Sequence, residues 1–307
     1  MRSVSEHLDI ILGSTSSLAP LEVGLLGSVG CVLAQDVSIV DEDTEHVLLS
    51  RGTAISPRHI ALIAAAGLGL VSVHPRPRVV VMTVGSDLCN PGTSDELRPD
   101  INGVALTGAA ASMGAMTFRV GPLASDEDFV SSSIEDQLVR ADVIVIACGM
   151  NADDYDLVTT VLGNLGKVDF TRVSMSPGGA QGFGVVGPDS TPVFVLPGNP
   201  VGALLSFDIF VRPLIRRMMG HTKLHYRTVD ARLESEVQGT LENTDYIRAH
   251  VTRHVGVPMV RSIEHDVNHP LSGLGTADSL IVLASGTQRI AAGQIVNVIQ
   301  LDTQVDE

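Results

Sequence analysis

The sequence has no tryptophan, and aromatic residues fill only 3% of its 307 positions. Its core must therefore rest on Val, Leu, Ile and Ala, as in parallel sheets whose two faces are covered by helices. Cysteine is nearly as scarce. Cys31, Cys89 and Cys148 lie far apart, form no CxxC pair and no zinc-finger spacing, and their odd number suits a reducing compartment. Basic residues are outnumbered, 20 against 35 acidic ones, leaving a formal net charge of −15. A field of that sign repels a polyphosphate backbone, so nucleic acid is not an expected partner. The densest basic cluster, Arg212, Arg216 and Arg217, reads as cations at the end of an apolar helix. Long apolar runs are missing too. The longest, 60–73, is interrupted and too short to span a bilayer, so no membrane insertion is expected. The opening stretch MRSVSEHLDIILG puts acidic and polar residues where a signal peptide needs an apolar core, which makes the cytoplasm the expected location.

What is present is a globular composition, 44% hydrophobic. Residues 5–13 read as a short amphipathic helix, and 18–36 as helical apolar spacing that gives way to an extended end. An acidic, exposed connection follows at 41–45. Ser56 reads as an N-cap, with Pro57 opening a helix over 58–66. From residue 78 onward, VVVMTVG, DVIVIACG and PVFVLPG are continuous aliphatic runs of the kind found in strands buried on both faces. A further strand is expected at 116–120, and helices near 104–113, 126–141, 155–165 and 201–219. This alternation predicts an α/β fold with a mostly parallel sheet in a three-layer α/β/α arrangement. Past Gly220, alternating stretches such as YRTVDARL, YIRAHVTRHV and QIVNVIQL predict a small β domain. The expected division is a small N-terminal helical segment and linker over 1–75, the α/β domain over 76–220 and the β domain over 221–307.

Three strand ends carry unusual loops: VGSDL (84–88), ACGMNADDYD (147–156) and LPGNP (196–200). Open α/β sheets hold ligands in the crevice beyond the carboxyl ends of their strands, where helix N-termini converge. A fourth loop, MSPGGAQGFG (175–184), has four glycines within seven residues, which lets backbone N–H groups approach an anion. Asp154 and Asp156 can act as acids favouring a helix N-terminus or as ligand or metal contacts. Asn199 and Asn102 can each cap a helix or touch a ligand. Cys148, behind a buried strand, reads as a small core residue. His250 and His254 have i,i+4 spacing but on a strand, where that spacing is about 13 Å, and the pair His265 and His269 runs into a proline. Neither predicts a zinc site.

VLPGNPVGALLSFDIFVRPLIRRMMG, DDYDLV and TADSLIVLASG together resemble the MoeA family, the molybdopterin molybdenumtransferases, and the related gephyrin E domain. The likeness extends to SVGCVLAQDV and VLLSRGTAISPRHIALIAAAGL and so covers most of the chain. It implies a MogA/MoaB-like middle domain and a homodimer, with residues 1–75 as the dimerisation and linker region. The ligand implied is molybdopterin or its adenylylated form, with a role in placing molybdenum on the dithiolene. Carried onto this chain, the resemblance assigns ligand binding to Gly85, Ser86, Asn102, Gly149, Asp156, Ser176, Pro177, Gly178, Gly179, Pro197, Gly198, Asn199 and Pro200. Catalysis and magnesium binding fall to Asp87 and Asp154.

The sequence also departs from the family. The family's inserted β-rich domain, with its DNSAMDGYA motif, is replaced by the short acidic stretch 38–43. Ser86 stands where TGDEL has its first carboxylate, and Cys148 interrupts the family's SGG. Two lysines of MKPGKP become Ser176 and Gly179. Each charge-assisted hydrogen bond contributes roughly 1.5–3 kcal/mol, so losing two weakens anion binding by about two to four orders of magnitude. The expected protein is a MoeA-like molybdopterin binder with impaired catalysis. The alternative is a non-catalytic, gephyrin-like dimeric scaffold for a partner peptide.

Overall fold

The computed structural model describes residues 1–41, 44–254, 257–263 and 271–301. Its helices are α1 (Val4–Gly13), α2 (Pro57–Ala65), α3 (Ile101–Ser112), α4 (Glu127–Leu138), α5 (Ala152–Leu165), α6 (Pro200–Ser206) and α7 (Arg212–Met218). None is long and apolar enough to cross a membrane.

The central sheet has six strands in the order Gly166–Arg172, Ala180–Val186, Thr191–Leu196, Val143–Cys148, Arg78–Val84, Met116–Leu123. The last four run parallel, and the first two join antiparallel. Val145 is in register with Phe194 on one side and Val81 on the other. Successive side chains point to opposite faces. Val79, Val81, Val143 and Val145 therefore pack with Ile11 of α1, Leu106 of α3 and Leu214 of α7. Val80, Met82, Ile144 and Ile146 pack instead with Ile134 of α4 and Val158 and Leu162 of α5. Burial on both faces is the physical reason that these strands show no polar alternation.

Several expected elements differ. The stretch 175–184 is not one glycine-rich loop, because Ala180–Val186 is an interior strand. Its glycines serve packing: a Cβ on Gly184 would lie 2.1 Å from the Lys167 carbonyl oxygen, and one on Gly182 would lie 2.8 Å from the Phe170 ring. Residues 18–36 hold no α-helix but a strand, a 3₁₀ turn and a second strand, Leu21–Gly24, Leu25–Ser28 and Val32–Leu33. Both strands pair with Leu70–His74, so residues 1–75 form a mixed unit rather than a helical segment. In place of an acidic linker, Val37–Asp41 pairs with Thr44–Leu49, and residues 42–43 lie outside the described part. Ser56 does cap α2, accepting from the His59 N–H, and Pro57 opens the helix. The long helix after the PGNP turn is continuous but contains a π turn at Phe207–Val211. Pro213 follows after Arg212. Its ring lacks an N–H and crowds the preceding turn, and a widened turn relieves this.

In the C-terminal part, Thr244–His254 pairs with Val257–Ser262 and with Ser279–Leu283. Ile295–Gln300 pairs with Ser279–Leu283 and with Thr228–Leu233, which returns to Val257–Ser262. The circuit closes as a barrel around Ala231, Val260, Ile281 and Val298. Met175–Ser176, from the α/β unit, adds in parallel to Thr244–Asp245 of this barrel.

Candidate functional site

Three neighbouring parallel strands, Arg78–Val84, Val143–Cys148 and Thr191–Leu196, end side by side, and their turns are locked together by the backbone. The Gly149 N–H donates to the Val84 carbonyl at 2.7 Å. The Gly198 turn presses so closely on Gly149 that a Cβ at Gly198 would lie 2.4 Å from the Gly149 carbonyl oxygen. Glycine is required there for space, not for a special φ. Pro200 then opens α6, and the Asn199 side chain accepts from the Val201 and Gly202 N–H groups at 2.9 and 3.3 Å. Asn199 is thus a helix cap.

The opposite wall is the N-terminus of α3. Its cap is Asp100, not Asn102. Asp100 is 1% exposed and accepts from the Gly103 N–H at 2.8 Å, the Thr83 hydroxyl at 2.8 Å and Arg119 at 2.6 Å. With the cap supplied, the Asn102 side chain reaches across and donates to the Gly198 carbonyl at 2.8 Å. A cavity of about 150 Å³ lies between these walls, bordered by Thr83, Leu88, Arg98, Asn102, Gly149, Gly198 and Pro200 among others. This volume is below the usual ligand-pocket range, so it accommodates one group of a ligand, with the remainder extending outward.

Arg98 and Asp100 border the cavity, and further charged groups lie beside it. Asp87 is held by Arg98 through Nε at 2.7 Å and through Nη2. Asp154, 4% exposed on the first turn of α5, accepts from the Ser125 hydroxyl. Ser125 is in turn tied to Ser86 by reciprocal bonds, each backbone N–H donating to the other's hydroxyl, at 3.1 and 2.8 Å. Asp87 Oδ1, Asp154 Oδ2 and Asn102 Oδ1 are buried without a partner. Buried polar atoms normally have one. The first two face the same backbone: a Cβ on Gly149 would lie 2.2 Å from Asp154 Oδ2 and 3.6 Å from Asp87 Oδ1. The Arg98–Asp87 and Arg119–Asp100 pairs balance, and the formal charge of Asp154 is left over. Of these two arginines Arg98 alone borders the cavity, so one guanidinium reaches it despite the absent lysines. Cys148 borders it too, but burial, aided by the nearby charge of Asp154, pushes its thiol up to about 12, unsuited to a nucleophile.

The structure thus brings Gly85, Ser86, Asp87, Asn102, Gly149, Asp154, Pro197, Gly198, Asn199 and Pro200 to one sheet edge. Asp156 sits exposed on the second turn of α5. Ser176, Pro177, Gly178 and Gly179 lie elsewhere. A Cβ on Gly178 would meet the Gly202 carbonyl and Ser206 Oγ at 3.0 Å, and Gln181 donates to the Gly178 carbonyl and to Ser206 Oγ, both at 2.6 Å. That turn braces α6 and does not border the cavity. Sequence reasoning missed Thr83, Arg98, Asp100, Arg119 and Ser125. Asp100 carried a signal, a carboxylate immediately ahead of a helix. Arg98, Arg119 and Ser125 reach the site through tertiary packing alone. Among the described residues no group of three or more His, Cys, Asp or Glu is placed to hold a metal ion. His250 pairs with Asp278 at 2.5 Å, and His265 and His269 lie outside the described residues.

Comparison with known proteins agrees with this geometry. A family model described as a probable molybdopterin binding domain matches residues 80–217, and one described as the MoeA C-terminal region (domain IV) matches 230–301. The chain is similar to molybdopterin molybdenumtransferase 1 of Mycobacterium tuberculosis, 37% identical over 261 residues. The match covers 82% of this chain, which spans only 61% of that relative's length. It also shares its fold with a crystal structure of the molybdopterin biosynthesis MoeA protein from Pyrococcus horikosii, with a TM-score of 0.83 and 18% identity over 98% of this chain and 99% of that one. A molybdenum cofactor biosynthesis protein from Pyrococcus furiosus aligns with a TM-score of 0.74 and 22% identity, covering 98% and 99% of the two chains.

Proposed function

The chain belongs to the MoeA family of molybdopterin molybdenumtransferases, and from that premise we propose that the cavity between α3 and the PGNP turn binds the anionic end of molybdopterin or of its adenylylated form. The observation that carries this reading is the convergence of three strand-end turns on one cavity lined by Arg98 and Asn102, with the unpartnered oxygens of Asp87 and Asp154 set beside Gly149 in its wall. Arg98, which borders the cavity, is the cation that meets a phosphate in place of the missing lysines. Asn102 Oδ1 accepts from an N–H donor of the ligand. The Gly149 and Gly198 backbone sets the closest approach.

The oxygen donors also fit magnesium held jointly with a phosphorylated ligand, because magnesium takes one or two carboxylates and completes its shell with phosphates and water. Asp87 and Asp154 would hold it, and it would supply charge neutralisation at the phosphate. Arg98 already occupies one oxygen of Asp87, so cation and metal compete for the same carboxylate. That competition favours weak or absent molybdenum insertion. It also supports a second reading, a dimeric scaffold that retains the pocket without the reaction.

Calorimetry with molybdopterin tests the proposal. Saturable heat, reduced in an Asn102→Ala variant, is the expected result. Folded protein giving no heat at high micromolar concentration would remove it. Growth restored to a strain lacking the full-length enzyme would separate an active transferase from a scaffold.

A further inference from the structure

The basic cluster near residue 212 is not used up by its helix end. Arg212 stacks 3.6 Å over the Tyr226 ring and donates to the Leu224 carbonyl at 3.0 Å. Arg216 donates to the Lys223 carbonyl at 2.8 Å. Arg217, by contrast, has no hydrogen bond or ion pair from its side chain among the described residues. It borders a second cleft of about 510 Å³, formed where the end of α7 meets the N-terminal unit.

Arg51 borders the same cleft from the turn ahead of Gly52, and its guanidinium is likewise without a described partner. His74 and His221 add two imidazoles, and Ser16, Ser17 and Thr222 add hydroxyls. The Nδ1–H of His74 donates to the Leu18 carbonyl at 2.8 Å, leaving Nε2 on the side of Gly220, which is also in the cleft wall. No acidic side chain borders it among the described residues. The Asp36 carboxylate accepts the Arg51 backbone N–H at 2.6 Å, not the guanidinium. The helix end does not oppose an anion. Its last carbonyls, on Arg216, Arg217 and Met218, already accept from His221, Gly220 and Leu18.

Two guanidinium groups facing one cleft repel each other, and in a chain of net charge −15 acidic partners are plentiful elsewhere. Leaving both free of them, beside hydroxyls and imidazoles, is the arrangement of an oxyanion site. We propose that this cleft binds a phosphate dianion, either free or as the monoester of a small molecule, at a site separate from the cavity at the sheet edge. Its volume exceeds that of phosphate alone and lies within the range of small-molecule pockets, which favours the ester.

The test is a titration of the full chain with inorganic phosphate and, separately, with ribose 5-phosphate. It is followed by the amide resonances of Gly52 and Gly220 and by calorimetry. Saturable shifts at both glycines are expected. Arg217→Ala and Arg51→Ala should each weaken binding about tenfold or more, while Arg217→Lys should lose less. Tighter binding of ribose 5-phosphate identifies an ester site, and equal or weaker binding identifies a free-anion site. Absence of saturable shifts with both probes would overturn the proposal. So would an Arg51→Ala protein, substituted at an exposed position and folded by its spectrum, that binds as the wild type does.

Discussion

Asn102 at the start of α3 and Gly198 in the PGNP turn are joined by a 2.8 Å hydrogen bond across 96 residues of sequence. The bond fixes the width of the cavity, because each partner stands on a different wall. Replacing Asn102 with Ala removes the bond and leaves the Gly198 carbonyl without that donor. The expected loss is about 1 kcal/mol of stability, measured by urea denaturation, together with a loss of ligand affinity that exceeds it. Stability that falls while affinity holds would show the bond to be scaffolding only.

Gly198→Ala tests the close approach of the turns. The new methyl would meet the Gly149 carbonyl and the Cys148 carbonyl at 2.4 and 3.0 Å, both backbone atoms that cannot swing away. Overpacking of this kind costs roughly 1–3 kcal/mol. A lowered urea midpoint is expected, with the same substitution at Gly108, where nothing lies within 4 Å, close to neutral or stabilising.

Arg98→Ala removes the cation and releases Asp87. Affinity for a phosphorylated ligand should drop about tenfold or more, and added magnesium should recover part of it. Calorimetry with and without magnesium reads both effects. Recovery by magnesium in the wild type but not in the variant would contradict the competition described above.

Two titrating groups, the buried His7 and the half-buried Asp208, give opposite pH dependences. Burial, with a smaller contribution from Arg2, lowers His7 from 6.5 to about 4. The unfolded chain takes up a proton that the folded chain refuses, so this group's contribution is present above 6.5 and lost as pH falls towards 4. Burial raises Asp208 from 3.8 to about 6, partly offset by the Tyr226 hydroxyl and Arg212. Its contribution is present below 3.8 and lost as pH rises through 6. Asp208→Asn should therefore stabilise the protein above pH 6, by on the order of 2 kcal/mol, and do little near pH 4. His7→Gln should flatten the acid limb instead. Urea midpoints across pH 4–8 separate the two.

Thiol chemistry offers a direct reading of the core. Cys31, Cys89 and Cys148 are all free and buried, and the Cys148 thiol is pushed up to about 12. A thiol reagent at pH 8 should find no fast-reacting group in the native protein and three after denaturation. Rapid native labelling of Cys148 would mean that the sheet edge opens far more than its packing implies.

The parts that could be read from sequence were those whose signal is local. VVVMTV, VIVIAC and TPVFVL show their burial on both faces directly, and Ser56-Pro57 shows its cap. The edge strand Gly166–Arg172 and its neighbour Ala180–Val186 were hidden for different reasons. The first is half-buried and carries Lys167, Asp169 and Arg172, and the second spends glycines on close packing, which from sequence looks like a flexible loop. At the site, turn residues were visible because Gly and Pro mark turns. Arg98, Arg119 and Ser125 were not, since no sequence spacing says which arginine will fold back onto which aspartate.

The short strand Met175–Ser176 has one last consequence. Its hydrogen bonds run to Thr244–Asp245, so a segment of the sheet unit is stitched into the barrel far from the covalent junction near residue 220. The two bodies are therefore not beads on a string. Cutting the polypeptide after Gly220 would leave a raw edge on both pieces, and an engineer wishing to transplant the barrel must carry those two residues along with it.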